Sequence, residues 1–387
     1  MFEGLASTIE FQMSLLLFVA LAGYLLASRI NQSAVIGEIL FGLIIGPSLL
    51  GLITYTDFVK SVAHLGAVIL LFVIGLEFKL KDIFNFKYGV IALIGIIVPW
   101  AGGFYTAKFF GYGFGSAVFA GTALTATSIA ITANVLKEMG KLQTDAARAI
   151  IGAAVIDDVL GLLALSFSKQ LVLGTFSAMS IVFIFIKALA FLAIGAYIGS
   201  KFLSRLLEKL DKTKIAKKFP EFVFIFAMMM AFFYAMAAEL MQLSAIVGAF
   251  IAGVSLESAV ITRSRSYKEG AEYLHIIFAS IFFVSLGIIA DFHSLTPSVI
   301  WFLIALTIVA VLTKVIGCYI PARLQGMSHK DSAIIGFGMA PRGEVAMIVA
   351  LIGINTGLIG QSIYVSLVLM SLLTTIFTPI VLRNFYA

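Results

Sequence analysis

The sequence predicts an all-α polytopic membrane protein of about 13 transmembrane helices arranged as an inverted repeat. Three observations carry this. First, 61% of the 387 residues are hydrophobic, 12% are charged, and the mean hydropathy is +1.10. That composition excludes a soluble domain. Second, apolar runs of about 20 residues alternate with short, charged segments. Third, one half of the chain repeats in the other. The 34 glycines are spread through the apolar runs, which suits close helix packing and interrupted helices rather than disorder. The single cysteine, Cys318, excludes an intrachain disulfide and a cysteine-based metal site. Glu3 and Glu10 precede the first apolar run, with no basic leader or Ala-x-Ala site, so that run reads as a true span.

Taken in order, the spans fall at 10–28, 33–51, 62–78, 88–108, 114–137, 146–168, 178–202, 221–241, 243–260, 271–290, 297–321, 331–356 and 362–385. If the N-terminus lies outside, inner loops hold twenty Lys and Arg and outer loops hold three. This bias predicts an external N-terminus and a cytoplasmic C-terminus. It also accounts for the net charge of +6 without invoking nucleic acid. The loop from Lys201 to Lys218 holds seven cations and divides the chain near its middle. It reads as a cytoplasmic connector that fixes topology, with anionic lipid head groups as the ligand it could take.

The repeat spans that divide. Ser33-Ala-Val-Ile-Gly37-x-x-x-x-Gly42 recurs as Ser244-Ala-Ile-Val-Gly248-x-x-x-x-Gly253, and Leu71-Phe-Val73 matches Phe282-Phe-Val284. Spans one to six then correspond to spans eight to thirteen, with span seven as a linker. Seven is odd, so the second half enters the membrane from the opposite side. Such an architecture places a substrate site at the midplane.

The chemistry concentrates there. From Ala149 to Ser168 every residue except Asp157 and Asp158 is apolar or small. The pair lies roughly 14–16 Å from either end of its span, and each carboxylate costs about 2.5–3.5 kcal/mol to insert. Each therefore needs a partner or a watery cavity. Lys314, roughly 13 Å inside span eleven, needs an anion in turn, and Asp157 or Asp158 can provide it. Spans five and twelve, equivalent in the two halves, both read as interrupted. Span five contains Thr125-Ala-Thr127-Ser128, and span twelve contains Gly336-Phe-Gly338-Met-Ala-Pro341-Arg342-Gly343-Glu344. Two broken helices that cross bring opposed half-helix ends together, and Arg342 and Glu344 can compensate them. Thr127 and Ser128 offer hydroxyl and freed carbonyl oxygens to a monovalent cation. Glu38, buried in span two, either lines an inner cation route or hydrogen bonds across a packed interface. Glu138 and Glu257 read as interfacial, and His64, His275, His293 and His329 as solvated residues near span ends. There is no phosphate loop, metal-ligand cluster or Ser-His-Asp arrangement, which argues against an ATP-driven pump and a membrane hydrolase.

Val155-Ile-Asp157-Asp158-Val-Leu-Gly161, Gly121-Thr-Ala-x-x-Ala-Thr127-Ser128, Met339-Ala-Pro-Arg-Gly-Glu344 and Lys314 together resemble the cation:proton antiporter superfamily. The likeness is to its electrogenic two-aspartate sodium/proton antiporters, and it runs over essentially the whole chain. It implies a scaffold that dimerises (1–78 and 221–290), a mobile ion-transporting core (88–168 and 297–387) and a linker with the basic loop (178–218). It further implies that Asp158 binds ion and proton, that Asp157 partners the lysine, and that Lys314 is that lysine. Because the chain ends at Ala387, a nucleotide-binding domain like that of potassium-efflux relatives is not expected. The function expected is Na⁺ (or Li⁺)/H⁺ exchange by an elevator-like movement in the cell membrane. No enzymatic activity and no cofactor are expected. The partners expected are a monovalent cation, the proton, membrane lipid and a second copy of the chain, with neither nucleic acid nor nucleotide. The alternatives are a K⁺/H⁺ antiporter, a cation channel and a sodium-coupled symporter of organic anions.

Overall fold

Serine and threonine hydroxyls start many of the apolar runs, and a free backbone N–H at each helix start is what they satisfy. Thr8, Thr56 and Thr144 accept from the N–H three residues on, and Pro297 occupies the first turn of its helix, where its missing N–H costs nothing. The computed structural model describes residues 8–80, 85–219, 221–259, 267–290, 292–293 and 295–386, with the side chains of Phe86 and Glu344 outside that description. Among the described residues every regular element is helical.

The first half comprises α1 (Ile9–Arg29), α2 (Ala34–Ile45), α3 (Asp57–Gly75), α4 (Phe86–Phe109), α5 (Phe114–Thr125), α6 (Ile129–Glu138) and α7 (Asp145–Leu173). A connector follows, α8 (Ala178–Ile198), a π-helical turn at Gly199–Leu203, α9 (Ser204–Asp211) and α10 (Lys214–Lys218). The second half repeats the first as α11 (Phe222–Leu240), α12 (Ala245–Leu256), α13 (Tyr267–Ile288), α14 (Pro297–Leu324), α15 (His329–Gly338), α16 (Glu344–Asn355) and α17 (Gln361–Tyr386). Spans five and twelve are indeed each two helices, α5–α6 and α15–α16. Among the described residues ten segments are long and apolar enough to cross a membrane, while α2, α12 and α16 are shorter apolar helices. The expected count of 13 is therefore not reached by length alone. A 12-residue helix such as α2 or α12 covers only about 18 Å.

Apolar burial cannot hold helices together inside lipid, so close backbone contact has to. The repeated glycines supply it. A Cβ on Gly37 would stand 2.0 Å from the Gly23 carbonyl of α1, and one on Gly248 would stand 2.2 Å from the Tyr234 carbonyl of α11. Each first glycine thus seats its helix on the preceding one. The second glycine of each motif reaches the other half: Gly42 packs on Val284 of α13 and Gly253 on Phe72 of α3, each with a hypothetical Cβ 2.1 Å from the carbonyl oxygen. The motif found in the sequence is the device that interlocks the two repeats.

Packing partners sort the helices into two sets. In one, α1, α2, α3, α11, α12 and α13 pack on each other; in the other, α4, α5, α7, α14, α15, α16 and α17 do so. The sets meet along a seam where α3 touches α6 and α2 touches α17, and α8 bridges them by packing on both α7 and α12. We predict that Gly42→Ala and Gly253→Ala each destabilise the protein by about 1–3 kcal/mol, because rigid backbone faces the added methyl. Gly360→Ala, where a Cβ meets nothing within 4 Å, should stay within about 0.5 kcal/mol. Thermal unfolding in detergent measures the difference.

Candidate ion-binding site

Between α5 and α6 the chain leaves the helical path at Ala126–Ser128, and between α15 and α16 it does so at Met339–Gly343. The two unwound segments cross in contact. Ser128 N–H donates to the Pro341 carbonyl at 2.9 Å, the Thr127 hydroxyl to the Met339 carbonyl at 3.3 Å, and the Thr132 hydroxyl to the Gly338 carbonyl at 2.6 Å. A Cβ on Gly343 would stand 2.6 Å from the Ser128 hydroxyl, so only glycine allows this approach. On the far side, Arg342 N–H donates to the Thr374 hydroxyl at 3.2 Å, and the Thr375 hydroxyl donates to the Arg342 carbonyl at 2.8 Å.

Each break leaves carbonyls at the end of a half-helix, a partial negative charge without an intrahelical donor. A buried cation meets each one. Lys314, reaching from the middle of α14, donates from Nζ to the Thr125 carbonyl at the end of α5 at 2.7 Å. Arg342 donates from its guanidinium to the carbonyls of Ala340 (2.9 Å) and Met339 (3.3 Å) beyond α15, and to that of Ala310 on α14 (3.3 Å). Both side chains are 0% exposed. The Arg342 guanidinium thus lies against the freed carbonyls of its own unwound segment. Glu344 is the first residue of α16, and its side chain lies outside the described residues.

Asp157 completes the pair. Its Oδ1 accepts from Lys314 Nζ at 2.8 Å, and the residue is 1% exposed. Of the two aspartates offered as the lysine's anion, Asp157 is the one seen in contact with it. Its second oxygen, Oδ2, is buried without a hydrogen-bond partner among the described residues, as is Ser128 Oγ. Asp158 points elsewhere, since consecutive helical residues diverge by about 100°. It is half-buried. One carboxylate is locked to a buried ammonium, and its half-buried neighbour lies outside that pair. The Thr127 hydroxyl donates to the crossing and keeps its oxygen lone pairs, and Ser128 Oγ has no hydrogen-bond partner among the described residues.

Glu38 is not brought to this site. It is buried on α2, facing Ser280 of α13 and Glu138 of α6. His275, expected to be solvated, is instead buried against Asn134 of α6 at 3.2 Å. The Thr125 carbonyl, Thr132, Thr374 and Thr375 escaped the sequence reading. A hydroxyl or carbonyl in an apolar helix has no distinctive spacing; only the helix break could have pointed to the first two. Among the described residues no group of three His, Cys, Asp or Glu could hold a metal ion.

The family model described as "Sodium/hydrogen exchanger, transmembrane" matches residues 15–385. This chain belongs to the sodium/hydrogen exchanger family. Among relatives in that family, the Na⁺/H⁺-K⁺ antiporter GerN of Bacillus cereus is 34% identical over 375 residues, covering 96% of this chain and 95% of the relative. The Na⁺/H⁺ antiporter of Enterococcus hirae is 32% identical, covering 96% of each chain. The solved structure of the sodium proton antiporter MjNhaP1 from Methanocaldococcus jannaschii at pH 8 has the same fold, with a TM-score of 0.70 over 99% of this chain and 97% of that one at 17% identity. The exchanger family and these relatives are transporters rather than enzymes, and the present chain is a multi-pass membrane protein.

For this exchanger-family site, removing Lys314 alone leaves Asp157 charged and uncompensated in a dry interior. Lys314→Met is expected to destabilise the fold by about 3–5 kcal/mol. Adding Asp157→Asn removes the orphaned charge and should restore more than half of that loss. A double-mutant cycle on detergent-solubilised protein checks it, and additive losses would show that the pair does not act as a unit.

Proposed function

We propose that this chain is a secondary active Na⁺ (or Li⁺)/H⁺ antiporter of the cell membrane, with Asp158 as the carboxylate that takes cation and proton in turn. The observation that carries the reading is the contrast between the adjacent aspartates. Asp157 is wholly buried and paired with Lys314, while Asp158, next to it in the chain at the same depth, is only half-buried and is not part of that pair. A carboxylate that holds either a proton or Na⁺, never both, makes exchange obligatory. A channel needs no such competition, and an organic-anion symporter needs a fixed anion site, so neither explains a titratable pair.

The buried lysine extends the reading to stoichiometry. With the proton bound, Asp158 is neutral, Asp157 negative and Lys314 positive, and the site carries no net charge. When Na⁺ engages both carboxylates, Asp157 is drawn from the lysine. An unpaired ammonium at the midplane is costly, so Lys314 then loses its proton. The Thr125 carbonyl accepts from a neutral amine as well as from an ammonium, so the lysine keeps a partner. Two protons leave for one Na⁺, and the cycle moves one net charge. A potential of 100 mV then adds about 2.3 kcal/mol per cycle.

The two sets of helices support a division of labour. In our reading, 1–78 and 221–290 form a scaffold that dimerises, 88–168 and 297–387 form a core that moves past it in an elevator-like step, and 178–218 links them. The N-terminus is outside and the C-terminus cytoplasmic. A second reading, K⁺ in place of Na⁺, is favoured by one observation: the relative GerN is named for both ions.

Asp158→Asn is expected to abolish cation-driven proton movement in proteoliposomes while thermal stability stays near normal. In the wild type, protons compete for the same carboxylate. Apparent KM for Na⁺ should therefore fall as pH rises, by up to about a hundredfold per unit where both protons are displaced and about tenfold where only one is, and level off once the site is deprotonated. Fluorescence dequenching with Na⁺, Li⁺ and K⁺ at several pH values reads both, and residual exchange in Asp158→Asn would refute the assignment.

A further inference from the structure

The seam between the two sets of helices is not alike at its two ends. Where α2 begins and α6 ends, side chains cross it in four places. The Ser33 hydroxyl, at the start of α2, donates to Glu138 Oε2 at 2.7 Å. Asn134, one turn earlier on the same face of α6, meets His275 of α13 at 3.2 Å. Lys137 Nζ pairs with Glu272 of α13 at 2.5 Å. Gln143, just ahead of α7, donates to the Glu77 carbonyl beyond α3 at 2.6 Å. Each contact joins a residue on the α4–α7 side to one on the α1–α3 or α13 side.

At the opposite end the same seam opens into a cavity of about 1090 Å³. Ala67 of α3, Ile246 of α12 and Ser285 of α13 line one wall, and Met347 and Leu351 of α16 and Val368 of α17 line the other. Met347 is three residues into α16, so the cavity reaches to within one helical turn of the crossing.

We propose that the contacts of Ser33, Asn134, Lys137 and Gln143 form a latch that closes one end of the seam, holds the protein open at the other, and parts in each transport cycle. The inference rests on the antiport reading only in requiring that the core move against the scaffold. The chemistry suits a contact that must break repeatedly. Asn134 Nδ2 also donates to Glu138 Oε1 at 3.1 Å, a bond within α6. When the seam parts, Glu138 loses Ser33 but keeps Asn134, which travels with it. Lys137 and Glu272 are partly exposed, at 21% and 39% of their side chains, so water replaces the lost partner. Neither charge of the Lys137–Glu272 pair is stranded when the contact parts, and a ligand or substitution that favours one state redistributes the two.

The test places a reporter in the cavity. In a Cys318→Ala background, Leu351→Cys is labelled with a charged, water-soluble thiol reagent, first with the latch intact and then with Lys137→Met and Glu272→Gln added. Weakening the latch should lower the population open at the reporter, slowing labelling by roughly threefold or more. A folded variant that labels at the reference rate overturns the proposal. Should the double variant unfold, Gln143→Ala, which alters one exposed contact, carries the same test. In a second arm, Lys137→Cys and Glu272→Cys are joined by a short bifunctional thiol reagent. Exchange should stop and return on reduction, and exchange at the uncrosslinked rate overturns the latch. Labelling needs no transport. Slowed labelling in a chain whose unlatched and latched forms both fail to exchange would sink the antiport reading and leave the latch standing.

Discussion

Two wholly buried cations, Lys314 and Arg342, each set against the carbonyl end of a broken helix, are the constraint on which the rest of the structure depends. Neither helix could stop at membrane depth without a donor for its last carbonyls, and neither cation could stay charged there without an anion or dipole. Meeting both needs at once dictates the geometry around them. α14 must run unbroken beside the crossing to bring Lys314 to Thr125 and the Ala310 carbonyl to Arg342. Gly343 must lack a side chain so that the strands touch at Ser128. Thr374 and Thr375 must face inward from α17 to hold the Arg342 backbone. Asp157 supplies the remaining negative charge and, through Lys314, ties α7 to the same point.

Inverted repetition explains why the site has two of everything. α5–α6 and α15–α16 are the same element entering from opposite sides, so their carbonyl ends face opposite ways and each needs its own cation. The repeat does not supply these symmetrically. One cation comes from a neighbouring helix and the other from the unwound strand itself. Asp157 and Asp158 have no carboxylate counterpart in α17, whose buried positions are apolar or bear hydroxyls. The asymmetry confines the paired carboxylates to one helix, and in the proposed mechanism that pair governs the ion.

Much of this was legible in the chain because membrane depth makes charge conspicuous. Asp157, Asp158, Lys314 and Arg342 stood out against apolar neighbours, and the Gly37/Gly248 and Gly42/Gly253 pairs showed the repeat before any packing was known. Pro341 and Gly343 announced one break. The break at Ala126–Ser128 has no proline or glycine and was inferred from its polar residues and its place in the repeat. The seam was illegible for a related reason. Glu138 and His275 sit near span ends, where a charge costs little, so nothing distinguished a buried contact across 105 or 141 residues from an ordinary solvated side chain. Glu38 was recognised as buried, but its neighbours come from two distant helices.

The central claim is that cation binding displaces protons from Asp158 and Lys314 together. Calorimetric titration of Na⁺ into purified protein, repeated in buffers of different ionisation enthalpy, counts the protons released per ion bound. The account predicts close to two for the wild type, at a pH where both groups are protonated before binding, and close to one for folded Lys314→Gln. Release of one proton from the wild type would leave exchange intact but contradict the role of the lysine. Binding with no proton release would contradict the account as a whole.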